Sequence, residues 1–335
     1  MEQYQYRHPW IIARNEKGDW DVSHMFRRIE WSGDVDSVCR KLSLEMIVSA
    51  TDPRLPYVYL PLAGGIRMGV GDKTLFYGQV VSKDKSTDSS TMSVTCYDRG
   101  FYLLKSQASR KYNGETPETI TRQLCSTYGV GIGSLAQTGV PIRRKFQGAA
   151  VYKIIDTAYT LASRKTGKKY LLRFNADKLE VIERTVTPQS VILSRGTNLQ
   201  TATYGESIEN MKNRVIIVNS EGNFVREISD TEAVLRYGLL AEVLTQPDGE
   251  DATAEAREIL AEKGVEHSVS VSCLGHLKLI TGNTVWIHEP YTGLASTCWI
   301  DSDKHVWQNG VHTCSLTLNF KNEMRESETG SEVDE

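Results

Sequence analysis

The sequence predicts a mainly β protein of the α+β class, with two β-barrels separated by a small α/β unit. Short segments with alternating apolar residues, divided by turn residues, fill the first hundred residues and return over residues 268–320. Between them the apolar residues take the spacing of amphipathic helices. The length of 335 residues suits about two domains, and 40% hydrophobic with 24% charged residues argues against a disordered or fibrous chain.

Residues 1–105 are predicted to form the first barrel. Segments at 40–50, 64–71, 75–82 and 91–97 alternate apolar and polar residues or carry β-branched ones, which is typical of short strands. The second segment is rich in glycine, but it does not lie between a strand and a helix as a nucleotide-binding loop must. Its glycines indicate turns and bulges of a curved sheet.

Residues 106–188 are predicted to form the α/β unit. Thr116 followed by Pro117 is a helix start, with threonine as the N-cap and proline in the first helical position. A second amphipathic helix is expected at 151–163. Two apolar runs joined by Asn-Ala-Asp predict a hairpin within 170–182.

Residues 189–320 are predicted to form the second barrel, interrupted by a helical insertion at about 229–264. The insertion begins at a capping-box pattern, Ser229 to Glu232. The remaining residues, 321–335, have six acidic and two basic side chains and almost no apolar ones. This composition predicts a disordered acidic tail.

Two separated segments resemble each other, which suggests a repeat. Residues 79–85 correspond to 298–304, and the strands that follow correspond as 91–96 and 313–318. If the repeat is real, the two barrels are related. The alternative is that any two exposed hairpins share this alternation.

Compartment and membrane topology follow from simple features. No run of 18 apolar residues and no secretory signal pattern is present, so no membrane span or export is expected. Six cysteines without a CxxC pair indicate reduced thiols in a chain that folds in a cytoplasm.

The one chemical motif of interest is a group of cysteines and histidines within 42 residues: Cys273, His276, His288, Cys298, His305, His312 and Cys314. A zinc-dependent hydrolase would use four of them as ligands: Cys273, His276, His312 and Cys314. Cys314 also fits the apolar face of its strand, where a free cysteine packs as a small hydrophobic residue. We predict no metal site, no cofactor and no catalytic residues, and we keep the zinc hydrolase as an alternative.

A basic stretch at 141–173 is the strongest charge signal in a chain of net charge −3. It has nine basic side chains against one acid, Asp156. We predict a partner interface there, formed by Arg143, Arg144, Lys145, Arg164, Lys165, Lys168 and Lys169. The alternatives are a solvated helix face and a nucleic-acid-binding module, although no recognition motif accompanies the charge.

Several segments resemble one family in their order along the chain. The most specific is 96–106, where a Tyr-Asp dipeptide precedes Tyr-Leu-Leu-Lys-Ser; weaker ones lie at 62–68, 116–120, 208–218 and 236–240. Over roughly residues 20–320 the chain resembles the baseplate hub proteins of contractile phage tails and phage-tail-like bacteriocins, particularly the XkdQ-like branch.

This resemblance implies a structural protein without catalysis of its own. Such hubs are homotrimers whose six tail-tube-like barrels match a hexameric tail tube to a trimeric spike. The implied partners are the tail tube protein, the spike protein, the tape-measure protein and a LysM-type inner baseplate protein. No membrane and no sequence-specific nucleic acid is implied. The implied location is the baseplate centre of a virion or tail-like particle, assembled in the bacterial cytoplasm.

Overall fold

A computed structural model describes residues 8–48, 58–86, 90–187, 191–247, 249 and 251–333 of the protein. Its strands in chain order are β1 (Trp10–Asn15), β2 (Gly18–Asp21), β3 (Phe26–Asp34), β4 (Lys41–Ile47), β5 (Gly65–Val70), β6 (Lys73–Lys85), β7 (Thr91–Asp98), β8 (Gln107–Glu115), β9 (Gly131–Leu135), β10 (Ile142–Ala150), β11 (Tyr170–Asn175), β12 (Lys178–Glu183), β13 (Val191–Ser194), β14 (Leu199–Ser207), β15 (Arg214–Val218), β16 (Phe224–Ser229), β17 (Ala241–Thr245), β18 (Glu266–Leu274), β19 (Thr284–Glu289), β20 (Leu294–Gln308), β21 (Val311–Asn319) and β22 (Ser331–Glu332). Its helices are α1 (Gly100–Lys105), α2 (Pro117–Thr127), α3 (Val151–Thr166), α4 (Thr231–Tyr237) and α5 (Thr253–Glu262), with a 3₁₀ turn at Ser23–Met25.

The prediction of a mainly β fold is confirmed, and the two predicted barrels stay a prediction. One 13-stranded sheet runs β14-β18-β21-β20-β3-β4-β7-β6-β5-β1-β2, and β19 and β13 extend it beside β20. Strands from both predicted barrels share this sheet, and no closed barrel forms among the described strands. The reason is the length of β20, which has 15 residues. Its first part pairs with β19 and its second part pairs with β3.

The two hairpins of the suspected repeat, β6–β7 and β20–β21, have the same antiparallel pairing. Each has a β-bulge in its first strand, directly after Val80 and directly after Ile300. Val80 lies opposite Cys96, and Ile300 lies opposite Leu318. The sequence comparison aligned the second strands correctly but placed the first strands one residue out of register. A bulge at the same place supports a relationship between the hairpins, since bulges re-aim a strand in a specific way.

A buried ion pair lies where the two β regions join. Arg40, which directly precedes β4, donates from Nη1 to Asp303 Oδ1 of β20 at 3.0 Å and makes a second hydrogen bond through Nη2. The guanidinium carbon lies 3.8 Å from the ring centroid of Trp31. Thr281 donates to Asp303 Oδ1 from its amide and hydroxyl, both at 2.7 Å. Gly33 leaves room for this arrangement, because a Cβ there would lie 2.3 Å from Arg40 Nη1.

The helices and the hairpin predicted between the β regions are confirmed. Thr116 is the N-cap of α2, and Pro117 is its first residue. The second helix is α3, which ends before Gly167 at a left-handed φ of 72°. β11 and β12 form the expected hairpin. These elements share one apolar core with β8, β9 and β10, centred on Ile154, Ile155 and Tyr159.

The chain divides into two compact units, which differ from the predicted domains. One contains the described parts of residues 1–202 and 270–335, and the other is 203–269. The second unit contains a three-stranded sheet, β16-β15-β17, against which α5 packs. The predicted insertion at 229–264 therefore has helices α4 and α5 as expected, but the N-cap of α4 is Asp230 rather than Ser229. The boundaries predicted at 105 and 188 stay predictions.

Two further expectations concern extent and membrane topology. The predicted strand at 40–50 corresponds to β4, and residues 49 and 50 lie outside the described part. Among the described residues, no helix has both the length and the apolar character needed to cross a bilayer.

Asp98 gives a structural reason for the Tyr-Asp dipeptide of the segment at 96–106. The Arg40 amide donates to Asp98 Oδ2 at 2.8 Å, and the Gly100 amide donates to Oδ1 at 2.9 Å. The carboxyl therefore ties the end of β7 to the beginning of β4 and of α1. Burial raises the pKa of Asp98 to about 7, although both amides and the Arg40 guanidinium act to lower it.

Replacement of Asp98 by asparagine tests this environment through pH. Between about pH 4 and pH 7, Asp98 holds a proton in the folded wild type, whereas the unfolded chain has released it. The free energy of unfolding therefore falls as pH rises. The contribution of Asp98 to this fall is at most about 1.4 kcal/mol per pH unit. Asp98→Asn lacks this contribution. We therefore expect the stability of the variant relative to wild type to rise across this window, measured by urea unfolding at several pH values. A difference that does not change with pH would contradict the raised pKa.

Candidate functional site

The C-terminal segment (residues 321–333) packs against the α/β part of the chain, so the prediction of a disordered tail is wrong over this range. Met324 is buried with 8% exposure in the core that contains Ile154 and Ile155. The Tyr170 amide lies 3.5 Å from its sulfur. Residues 334 and 335 of the predicted tail lie outside the described part.

Arg325 anchors the segment next to Met324. It donates from Nε to Asp156 Oδ2 of α3 at 2.9 Å, and it also donates from Nη1 to the Asp36 carbonyl. Burial raises the pKa of Asp156, and the Arg325 guanidinium opposes this. Asp156, which stood out as the single acid of the basic stretch, is therefore the partner of an arginine from the C-terminal segment.

Two threonines of α3 bind the segment through their hydroxyls. Thr160 Oγ1 accepts from the Ser327 amide at 3.1 Å, and Thr157 Oγ1 accepts from the Thr329 amide at 3.2 Å. The segment then forms β22, which pairs antiparallel with β10. Buried hydroxyl groups of α3 thus hold a short strand of the same chain.

The basic residues on and near β10 are divided between the segment and the surface. Arg144 donates from Nε to the Thr329 carbonyl at 2.7 Å and from Nη2 to the Gly330 carbonyl at 3.1 Å. Arg143 and Lys145, on either side of it, have exposed side chains. Because side chains alternate along the strand, Arg144 faces the C-terminal segment, and the side chains of Arg143 and Lys145 are exposed.

The basic residues at the end of α3 meet the acidic residues of the segment. Arg164 binds Glu326 at 2.7 Å and also Glu328. Lys169 lies 3.8 Å from Glu326. Hydrogen bonding and charge from Arg164 lower the pKa of Glu328. These pairs are largely exposed, so each contributes little stability, and their main effect is to neutralise charge.

Two further predicted interface residues, Lys165 and Lys168, lie at the end of α3 and just after it. Lys168 binds Glu183 of β12 at 2.9 Å, and the side chain of Lys165 is exposed. The seven predicted residues therefore differ in their surroundings. Arg144, Arg164, Lys168 and Lys169 bind groups of the same chain, although Arg164 and Lys168 are still exposed. The side chains of Arg143, Lys145 and Lys165 are also exposed.

The cysteine–histidine cluster consists of His305, His312 and Cys314, all buried, with their ligand atoms within 4.8 Å of one another. His305 Nδ1 lies 3.0 Å from His312 Nε2 and 3.1 Å from Cys314 Sγ, and His312 Nε2 lies 3.9 Å from that sulfur. His305 comes from β20 and lies directly opposite Cys314 of β21.

Burial controls the protonation of this cluster. It lowers the pKa of His305 to about 4 and that of His312 to about 3, so both imidazoles are neutral near pH 7. Burial, with a side-chain hydrogen bond from Cys273, raises the pKa of the Cys314 thiol. The cluster is therefore uncharged when only protons are bound.

The four residues of the hydrolase alternative are only partly brought together. His312 and Cys314 belong to the cluster, and Cys273 lies on β18, the strand beside β21, outside this group of three. His276 is half-buried, and its Nδ1 lies 3.2 Å from the Lys278 amide. His305 lies within the group of cysteines and histidines identified in the sequence, but it was not chosen as one of the four ligands. Its position opposite Cys314 across a hairpin was the signal that could have found it.

Comparison with known proteins identifies the family. The YQBQ-like family model matches residues 29–319. The chain belongs to the YQBQ-like family. A curated relative, the phage-like element PBSX protein XkdQ of Bacillus subtilis, is 27% identical over 263 residues, which cover 76% of this chain and 80% of the relative. The resemblance to the XkdQ-like branch is thereby confirmed.

Solved structures share the fold of this YQBQ-like chain. The 43 kDa tail protein of prophage MuSo2 from Shewanella oneidensis has a TM-score of 0.70 at 15% identity, over 92% of this chain and 97% of its own. The E. coli c3393 protein, a component of the type VI secretion system described as similar to T4 bacteriophage tail proteins gp27 and gp5, has a TM-score of 0.53 at 11% identity, over 91% and 76%.

Replacement of Met324 by alanine tests the docking of the C-terminal segment. Removal of a buried methionine side chain costs about 2–5 kcal/mol. We expect a loss in this range in the free energy of unfolding, measured by urea unfolding. Glu323→Ala is the control, because Glu323 is a neighbouring residue with an exposed side chain and should change stability by no more than about 0.5 kcal/mol. Equal, near-zero effects of both substitutions would contradict the packed segment.

Proposed function

We propose that this YQBQ-like chain is the structural hub of a contractile-tail baseplate. In this proposal it acts as a homotrimer that matches a hexameric tail tube to a trimeric spike and has no catalytic activity of its own. Membership of the family supports a role in a phage-type tail. The internal repeat supports the idea that three subunits present six similar elements to a hexameric tube.

The observation that carries the proposal is the pair of bulged hairpins, β6–β7 and β20–β21. A trimer can present six similar elements to a hexamer only if each subunit supplies two of them. The two hairpins share antiparallel pairing and a bulge at the same place. They also lie in one continuous sheet, so each subunit offers both at a fixed spacing.

The proposed partners follow the same arrangement. The tail tube protein contacts one side of the hub and the spike protein the other, and the tape-measure protein and a LysM-type inner baseplate protein are neighbours. The type VI protein c3393, whose described likeness is to the tail proteins gp27 and gp5, supports a position next to a spike. The proposed location is the baseplate centre of a virion or tail-like particle, after folding in the cytoplasm as six reduced thiols suggest.

Stoichiometry in the particle tests the hub proposal. We expect cryo-electron microscopy of the tail-like particle that contains this chain to find three copies on the tail axis between tube and spike. Six copies in a ring, or a position away from the axis, would overturn the proposal. A mass measurement of the purified chain by light scattering adds the oligomeric state outside the particle.

The exposed basic residues are the proposed contact with a partner protein. We expect charge reversal of three of them to leave the fold intact but to block particle assembly: Arg143→Glu, Lys145→Glu and Lys165→Glu. A matched control reverses three exposed lysines elsewhere: Lys17→Glu, Lys73→Glu and Lys178→Glu. Circular dichroism checks the fold, and particle yield by electron microscopy checks assembly. Normal particles from the first variant would exclude this surface as the interface.

A further inference from the structure

The strands β18, β21 and β20 are adjacent in the main sheet and bring together two thiols and two imidazoles that the hub proposal does not use. His312 and Cys314 alternate along β21 and share one of its faces, and His305 is the cross-strand neighbour of Cys314. Cys273 lies on β18, the strand on the other side of β21, two residues before Gly275, whose amide donates to the His312 carbonyl at 2.8 Å. Three of these residues have 0% exposure, and His312 has 7%.

The distances in this cluster match the edges of a metal tetrahedron. Metal–nitrogen bonds of about 2.0–2.1 Å and metal–sulfur bonds of about 2.3 Å give edges of about 3.3 Å between two nitrogens and about 3.5 Å between nitrogen and sulfur. The two imidazole nitrogens are 3.0 Å apart. The two nitrogen–sulfur distances to Cys314 are 3.1 and 3.9 Å, which bracket the expected edge.

The hydrogen bonds of the cluster leave its lone pairs aimed at one point. His305 Nε2 lies 2.9 Å from the Leu279 carbonyl, which can only accept, so Nε2 carries the proton and Nδ1 has a single lone pair. His312 Nε2 and Cys314 Sγ both lie close to that lone pair. In the metal-free cluster, His312 Nε2–H donates to it. When His312 is protonated on Nδ1 instead, the Nε2 lone pair is free to bind a cation together with His305 Nδ1.

We propose that this buried site binds one zinc ion through two thiolates and two neutral imidazoles: Cys273, His305, His312 and Cys314. Two thiolates balance the charge of Zn²⁺, so the occupied site is neutral, as its burial requires. Binding releases one proton from each thiol to solvent. All four positions are filled by protein, which is the arrangement of a structural site rather than a catalytic one.

The surroundings support a site that is built for a ligand. The hydrogen bond of His305 to Leu279 fixes the ring so that Nδ1 points to the cluster, as second-shell groups do at metal sites. Gly275 makes space for the His312 ring, because a Cβ there would lie 2.1 Å from it. A cavity of about 150 Å³ is lined in part by Trp307 and His312, so one member of the cluster borders it.

Metal content of the full chain, purified without a histidine tag, tests this site. We expect about one zinc ion per chain by plasma mass spectrometry after gel filtration. After removal of zinc by a chelator and addition of Co²⁺, we expect the intense visible bands of tetrahedral cobalt and a thiolate-to-cobalt charge-transfer band. Absence of zinc together with a weak, six-coordinate cobalt spectrum would overturn the proposal, as would a Cys273–Cys314 disulfide in metal-free protein.

Variants identify the ligands. We expect Cys314→Ser and His305→Gln to lose the zinc ion and the charge-transfer intensity of the wild type. The matched control is Cys298→Ser, because Cys298 is also a buried thiol but contacts Ser296 instead of the cluster, and it should keep one ion. Loss of zinc from the control alone would contradict the assignment. If a ligand variant does not fold, the cobalt spectrum of the wild type still decides whether the site exists. None of these outcomes depends on the hub proposal.

Discussion

The hydrogen-bonded pair of Arg40 and Asp303 is the constraint on which the main sheet depends. These residues are 263 positions apart in the chain, yet each needs the other in order to be buried. A buried charge that loses its partner costs about 3–5 kcal/mol, so β4 and β20 are held in one arrangement. Gly33 and Trp31 adapt to the guanidinium, and Thr281 completes the bonding of the carboxylate. Packing of the apolar core around this point buries further apolar surface, but the ion pair specifies which residues of the two β regions lie together.

Local elements could be predicted from the sequence because their signals lie within a few residues. Thr116 and Pro117 predicted the beginning of α2, and the Asn-Ala-Asp turn predicted the hairpin of β11 and β12. The join between β3 and β20 could not be predicted, since strand pairing across most of the chain leaves no local pattern. The sequence therefore did not show that strands of the two predicted barrels share one sheet. The bulges also escaped detection, because one extra residue in a strand looks like ordinary sequence variation.

The candidate sites show a similar division. A stretch with nine basic residues was visible in composition, but composition could not show that Glu326 and Glu328 would neutralise part of it. The C-terminal segment has too few apolar residues to display periodicity, and it is held by one buried methionine, Met324, together with polar contacts such as those of Arg325. The pattern of His312 and Cys314 on one strand face was visible, whereas His305 required knowledge of which strand is its neighbour.

The continuity of β20 has a consequence for how such a chain can move. The same strand hydrogen bonds to β19 and then to β3 without a break, so the two β regions are joined by a ladder and not by a flexible linker. Bending at this point would break several backbone hydrogen bonds at once. Among the described residues, β20 therefore provides no hinge between these regions. An assembly of these subunits would open or close by sliding and separation at the contacts between subunits, with each sheet moving as a rigid plate.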